Sequence, residues 1–157
     1  MTAENKRELT IVRVFNAPRE LVYKAWTDPK LLAQWWGPQG VTNPKCEVDA
    51  RPGGAIDIVM LAGVELGDLQ GSEWPMAGVF QEVISPEKLV YTSSAIMDNK
   101  PILETTNTVT FEEYEGKTKL TLHVLVTQAT PEADGPLAGM EMGWNQSIDK
   151  LASLVEK

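Results

Sequence analysis

The side chains on which chemistry could rest are few, and they stand apart. His123 is the one histidine and Cys46 the one cysteine. They lie far from each other along the chain, which argues against a zinc site of the usual type; no metal and no cofactor is expected. Alternation with Leu122 and Val124 turns His123 outward, so a Ser–His–Asp triad built on it is rejected. Cys46 reads as an inert thiol, and a lone cysteine permits no internal disulfide. Asp49 and Arg51 flank a turn and read as a structural ion pair before an anion site. Glu82 lies mid-strand; on an inner face its carboxyl pKa would rise and suit acid–base work. An inward Glu104, or Ser93 beside an inward carboxylate, would serve the same end. No pair of carboxylates is placed for general acid–base work, and Glu141 falls on a solvated helix flank. No catalytic residue is assigned, and the reading leans away from an enzyme.

The apolar inventory is richer. Trp35 and Trp36 are adjacent and precede Gly37-Pro38. A tryptophan at a helix end either plugs the core edge or lines a pocket mouth, and Trp35 is the preferred pocket candidate. Met60, Met76, Met140 and Met142 supply adaptable thioethers. Gly139 and Gly143 flank Met140 and Trp144; a helical glycine costs about 1 kcal/mol against alanine. Close helix–sheet packing is the first explanation, room for a ligand the second.

Bulk properties narrow the class. The chain has 157 residues, 43% hydrophobic and 23% charged, which suits one domain spanning 1–157. The net charge of −8 argues against nucleic acid and anionic membrane surfaces. No apolar run reaches membrane-span length, and residues 1–7 are polar, so a cytoplasmic location is expected.

These residues need elements to position them. Residues 9–15, L-T-I-V-R-V-F, read as a strand. Pro18 opens a helix at its first position, carrying Leu21, Val22, Ala25 and Trp26 at helical spacing. A second short helix covers residues 30–35. Strands follow over 41–48, 56–60, 74–84, 88–96, 102–113 and 117–127. The segment 61–71 holds three glycines and reads as a mobile loop. Alternation points Ile56, Ile58 and Met60 inward, with Leu89 and Tyr91, Val109 and Phe111, Leu120 and Leu122. The facing of 74–84 stays open, because Pro75 and Gly78 could introduce a bulge. Thr130-Pro131-Glu132 signals a helix start, with Gly135-Pro136 making its first turn irregular. Met140, Trp144, Ile148, Leu151 and Val155 then form the apolar stripe of a helix of about twenty residues, near 30 Å. The expected fold is α+β: a curved antiparallel sheet of six to seven strands around a long C-terminal helix, with two short helices after the first strand.

Five blocks in order carry a resemblance: R-V-F-N-A-P-R-E-L-V-Y-K-A-W-T-D-P (13–29), W-W-G-P-Q-G (35–40), D-A-R-P-G-G (49–54), G-V-F-Q-E-V-I-S-P-E-K-L-V-Y (78–91) and G-W-N-Q-S-I-D-K-L (143–151). Together they resemble the SRPBCC, or START-like, superfamily. The nearest branch is similar to the C-terminal domain of the activator of the ninety-kilodalton heat-shock chaperone's ATPase. The resemblance implies the helix-grip fold and an apolar cavity between sheet and long helix. Two departures stand out. The short P-D-G-type turn between the third and fourth strands is replaced by residues 61–71. The eukaryotic activators also carry a separate chaperone-binding domain, for which this chain leaves no room.

The leading expectation is therefore binding or carriage of a small apolar or aromatic molecule. Its candidate lining is Trp35, Trp36, Ile58, Met60, Trp74, Met76, Phe80, Tyr91, Phe111, Met140, Trp144 and Ile148, with most weight on Trp144, Met140, Trp35 and Met60. The alternatives are an enzyme of cyclase, dehydratase or hydrolase type in the same cavity, and a chaperone-regulating interaction module with a stress-response role. A free sheet edge offers a route to a homodimer.

Overall fold

The computed structural model describes residues 8–133 and 137–156. The polar start at 1–7 and the Gly135-Pro136 step lie outside the described residues. The β-branched first segment forms strand β1 (Glu8–Phe15), with Ile11 and Phe15 buried and Val12 and Val14 exposed. Helix α1 (Arg19–Thr27) follows. Pro18 is its cap rather than its first residue: its ψ of 151° is extended, and its carbonyl accepts from the Leu21 and Val22 N–H groups at 3.0 and 3.2 Å. Helix α2 (Pro29–Trp35) has a proline inside its start, Pro29, and the Asp28 carboxylate caps it by accepting from the Lys30 N–H at 2.9 Å. Pro29 has no N–H to offer the carbonyl four residues before it, that of Ala25. The Trp35 indole donates to that carbonyl instead, at 2.9 Å, and so locks α2 against α1.

The remaining strands are β2 (Val41–Val48), β3 (Ala55–Ala62), β4 (Glu73–Ile84), β5 (Lys88–Met97), β6 (Lys100–Tyr114) and β7 (Lys117–Ala129). They join β1 in one seven-stranded sheet, ordered β1-β7-β6-β5-β4-β3-β2, with every neighbouring pair antiparallel. Two-residue turns close two hairpins. Asp98-Asn99 has φ of 53° and 64°, and Glu115-Gly116 has 52° and 79°, the left-handed pair that matches strand twist.

The facing of β4 is settled by a bulge at a position other than the two suspected. Pairing with β3 runs unbroken from Leu61–Glu73 to Ala55–Val79, past both Pro75 and Gly78. The break falls at Gln81, where pairing with β5 steps from Phe80 to Glu82. Met76 and Phe80 therefore face the core, and beyond the bulge the phase reverses: Val83 packs inward while Glu82 and Ile84 are exposed.

Helix α3 (Met140–Val155) has 16 residues, about 24 Å. The Thr130-Pro131-Glu132 signal starts a 3₁₀ turn, Pro131–Ala133; Leu137 and Ala138 are helical, and α3 follows the turn at Gly139. The helix lies against α2, α1 and β1. Its Ile148, Leu151 and Val155 enter a core shared with Phe15, Val22, Leu120 and Leu122. Each fully buried side chain of this kind contributes roughly 1.5–3 kcal/mol. A smaller core of Ile102, Leu103 and Ala133 lies at the other end of the sheet. Among the described residues, no helix is long and apolar enough to cross a membrane.

Candidate functional site

Trp26 is the hub of an aromatic cluster between the sheet and the helices. It meets Trp35 edge-on with ring centroids 4.7 Å apart, Phe111 edge-on at 6.3 Å and Trp144 in a stack at 6.0 Å. Trp36 meets Trp144 edge-on at 5.4 Å, and Phe80 meets Tyr91 at 6.2 Å. Aromatic pairs of this geometry add about 0.5–1.5 kcal/mol beyond burial. A small cavity lies beside the cluster. Its volume is about 10 Å³, and its walls are Trp26, Leu32, Trp36, Val48 and Ile56 with Ile58, Met76, Phe80, Leu89 and Tyr91.

Five of the candidate residues read from the sequence meet at this cavity: Trp36, Ile58, Met76, Phe80 and Tyr91. The other seven lie elsewhere, including all four given most weight. Trp35 is fully buried between α1 and α2, held by its indole hydrogen bond, so it plugs the core rather than the cavity mouth. Met60 turns its sulfur toward the loop after α2; a Cβ added at Gly37 would lie 2.7 Å from Met60 Sδ. Trp74 pairs with Met60 at the outer end of β4 and is half-buried. Phe111 packs edge-on against Tyr23 at 5.3 Å, and Ile148 is buried in the main core. Met140 and Trp144 cover that core from α3, half-buried. Gly143 departs from the expected close packing: a Cβ there would meet nothing within 4 Å.

Trp26, Leu32, Val48, Ile56 and Leu89 line the cavity without having been named as site residues. Helical spacing from Val22 to Trp26 and strand alternation through Ile56 and Leu89 marked three of them as inward-facing. That signal does not separate a cavity wall from ordinary core.

Acid–base chemistry finds no support in the geometry. Glu82 is exposed and pairs with Lys88 at 3.3 Å. Glu104 falls out of phase with the inward Thr105, Asn107 and Val109. Ser93 does face inward, but its hydroxyl lies 2.7 Å from Thr105 Oγ1, and Asn107 Nδ2 donates to the same Thr105 oxygen at 2.9 Å. This neutral belt contains no carboxylate.

The family described as "Activator of Hsp90 ATPase homolog 1-like protein" matches residues 16–156. The chain belongs to that family. No curated protein sequence matches it. Its fold is similar to that of a protein from Chromobacterium violaceum, with 30% identity, 96% of this chain and 98% of the other covered, and a TM-score of 0.79. It is likewise similar to a Nitrosomonas europaea protein, with 27% identity, coverage of 98% and 96%, and a TM-score of 0.77. An AHSA1 protein from Silicibacter pomeroyi aligns at 25% identity over 93% of this chain and 95% of its own, with a TM-score of 0.74. The helix-grip architecture is thus the family's.

In this family member, the segment read as a mobile loop is folded. It forms a 3₁₀ turn, Val64–Leu69, kinked at Gly67, and is pinned by the Gly63 N–H donating to the Gly40 carbonyl at 2.7 Å. Beside it, an open groove of about 320 Å³ runs between α2 and α3, lined by Gln34, Gln39, Asp149, Lys150, Ser153 and Leu154. Burial lowers the Lys150 pKa, partly offset by the Glu65 charge, and the Lys150 ammonium donates to the Pro38 carbonyl at 3.2 Å. The groove is open to solvent rather than enclosed, and five of its six lining residues are polar or charged. Outside both sites, His123 lies on the surface 3.1 Å from Glu8, and Arg51 pairs with Asp49 at 2.7 Å.

Burial pushes the Cys46 thiol up to about 11. At pH 8 only about one molecule in a thousand carries the reactive thiolate. Alkylation by iodoacetamide is expected to be slow at pH 8 and to quicken about tenfold per pH unit up to pH 10. A rate at pH 8 equal to that of an unstructured cysteine peptide would contradict this.

Proposed function

We propose that the protein binds a small apolar or aromatic molecule between the concave face of its sheet and its helices, as a binder or carrier and not as a catalyst. The observation that carries this is the cavity's wall: ten side chains from α1, α2, its capping residue Trp36 and strands β2 to β5, every one apolar or aromatic. Burial against such a wall favours binding by roughly 25 cal/mol per Å² of apolar area. The neutral hydrogen-bonded belt at Ser93, Thr105 and Asn107 weighs against the catalytic alternative.

A drug-sized ligand needs about 300–1,000 Å³, against about 10 Å³ in this closed form. Entry therefore requires side chains to move. Trp36 is the natural gate, being a cavity wall, 9% exposed, and backed by the half-buried Trp144. The cost of opening reduces affinity by the fraction of molecules that are open. Trp36→Ala should remove much of that cost. Titration with the neutral fluorescent dye 1-aminoanthracene is expected to saturate for the wild type, with altered tryptophan emission, and to tighten about tenfold for Trp36→Ala. No saturable binding by either protein would defeat the proposal.

A further inference from the structure

Asn43 stands where the sheet meets α2. The pairing of β2 with β3 steps from Thr42–Leu61 to Lys45–Val59, so that Asn43 and Pro44 together face Met60. A bulge of this kind re-aims a side chain. Here it aims the Asn43 amide at the end of α2, where Nδ2 donates to the Ala33 and Trp36 carbonyls, both at 2.9 Å. The last carbonyls of a helix have no following turn to supply donors, and Asn43 supplies two. Its Oδ1, by contrast, is buried and has no partner among the described residues. A buried oxygen left unpaired is destabilising. An apolar side chain of the same shape would avoid that loss, so the two donors are what this position keeps.

The residue held this way is the cavity wall Trp36. Its N–H donates to the Leu32 carbonyl at 3.0 Å and its own carbonyl accepts from Asn43, so both of its backbone polar groups are anchored. Gly37 follows at a φ of 93°, where glycine moves freely and other residues do not. It is the swivel of this stretch. Beyond it the chain is tied down again. The Pro38 carbonyl accepts from Lys150 at 3.2 Å, the Gln39 N–H donates to Gln146 Oε1 at 2.9 Å, and the Gly40 carbonyl accepts from the Gly63 N–H at 2.7 Å. Asn43 is the side chain that holds the near side of the swivel. We propose that Asn43 is a positioning residue for ligand entry: its amide latches Trp36 across the cavity, and opening begins with the breaking of the bond from Asn43 to the Trp36 carbonyl. This rests on the binding function and the Trp36 gate proposed above, and adds the residue that sets the balance between closed and open forms. Asn43 acts through Trp36 and not on the ligand.

The test follows 1-aminoanthracene by stopped-flow fluorescence and equilibrium titration in the wild type, Asn43→Ala, Asn43→Leu, Trp36→Ala and the double variant Asn43→Ala/Trp36→Ala. Apparent affinity scales with the fraction of open molecules. Asn43→Ala is therefore expected to bind the dye about fivefold tighter than the wild type, with association quickened by a similar factor. Asn43→Leu keeps the side chain's shape without its donors and should behave alike, which serves if the alanine variant folds poorly. In Trp36→Ala the gate is already gone, so adding Asn43→Ala should change affinity by less than about twofold. Without ligand, hydrogen exchange at the Trp36 amide should quicken more than about tenfold in either Asn43 variant, with exchange in β5 and β6 unchanged. Unchanged or weaker dye binding in both Asn43 variants, beside tighter binding by Trp36→Ala, overturns the latch and leaves the gate and the binding function standing. An equal gain from Asn43→Ala in the wild-type and Trp36→Ala backgrounds also overturns it, by showing a general loosening of the fold. Failure of both the wild type and Trp36→Ala to bind the dye takes down the binding function and the latch with it.

Discussion

Trp35→Ala is expected to cost about 4 kcal/mol of stability, within the range for removing a buried aromatic side chain. The ring is fully buried, packs edge-on against Trp26 at 4.7 Å, and donates to the Ala25 carbonyl at 2.9 Å. That carbonyl has no helical donor, because the residue four places on is Pro29. The substitution thus leaves a cavity and an unpaired carbonyl together. For a chain of this size, a loss near 4 kcal/mol lowers the melting temperature by roughly 10–15 °C. Urea and thermal unfolding followed by circular dichroism measure it. Trp35→Phe should recover part of the packing but not the hydrogen bond. A loss below about 1.5 kcal/mol for the alanine variant would mean that α1 and α2 are not locked by this indole.

Gly78→Ala should be similarly damaging for a different reason. Gly78 sits mid-strand in β4 opposite Ser93. An added Cβ would lie 1.9 Å from the Thr92 carbonyl oxygen and 3.2 Å from Ser93 Cα. Both are backbone atoms of the paired strand, so no side-chain rotation relieves the clash. Ordinary overpacking costs about 1–3 kcal/mol; parting two central strands should cost about 3 kcal/mol or more. The urea midpoint reports the loss, and hydrogen exchange should place the weakening in β4 and β5. A variant as stable as the wild type, with unchanged exchange in those strands, would show that the pairing shifts freely.

The strands and their inward faces were legible because alternation has a period of two, and one face must be buried. Ile56, Ile58, Leu89, Tyr91 and Phe111 all face inward as read. The C-terminal stripe was legible because Ile148, Leu151 and Val155 repeat at helical spacing. The bulge at Gln81 was not legible, since nothing in Phe80-Gln81-Glu82 marks it; it arises from fitting β4 to β5 while β4 stays in register with β3. The folded segment after β3 was hidden by its glycines, which allow mobility but here pack against the Gly37–Gly40 loop.

The candidate site divides along the same line. Residue types alone determined that the interior is apolar and aromatic and that a helix must close over the sheet. Only the tertiary structure decided which aromatic side chains wall the cavity. Trp35 and Trp36 are neighbours in sequence, yet the docking of α2 on α1 buries one as a plug and turns the other to the cavity wall. Only the tertiary structure, too, left Trp26 Nε1 and Tyr91 Oη without partners among the described residues. Cavity volume and hydrogen-bond satisfaction depend on atoms brought together from distant parts of the chain. Local spacing fixes direction; the contacts between elements fix what is filled and what is left to bind.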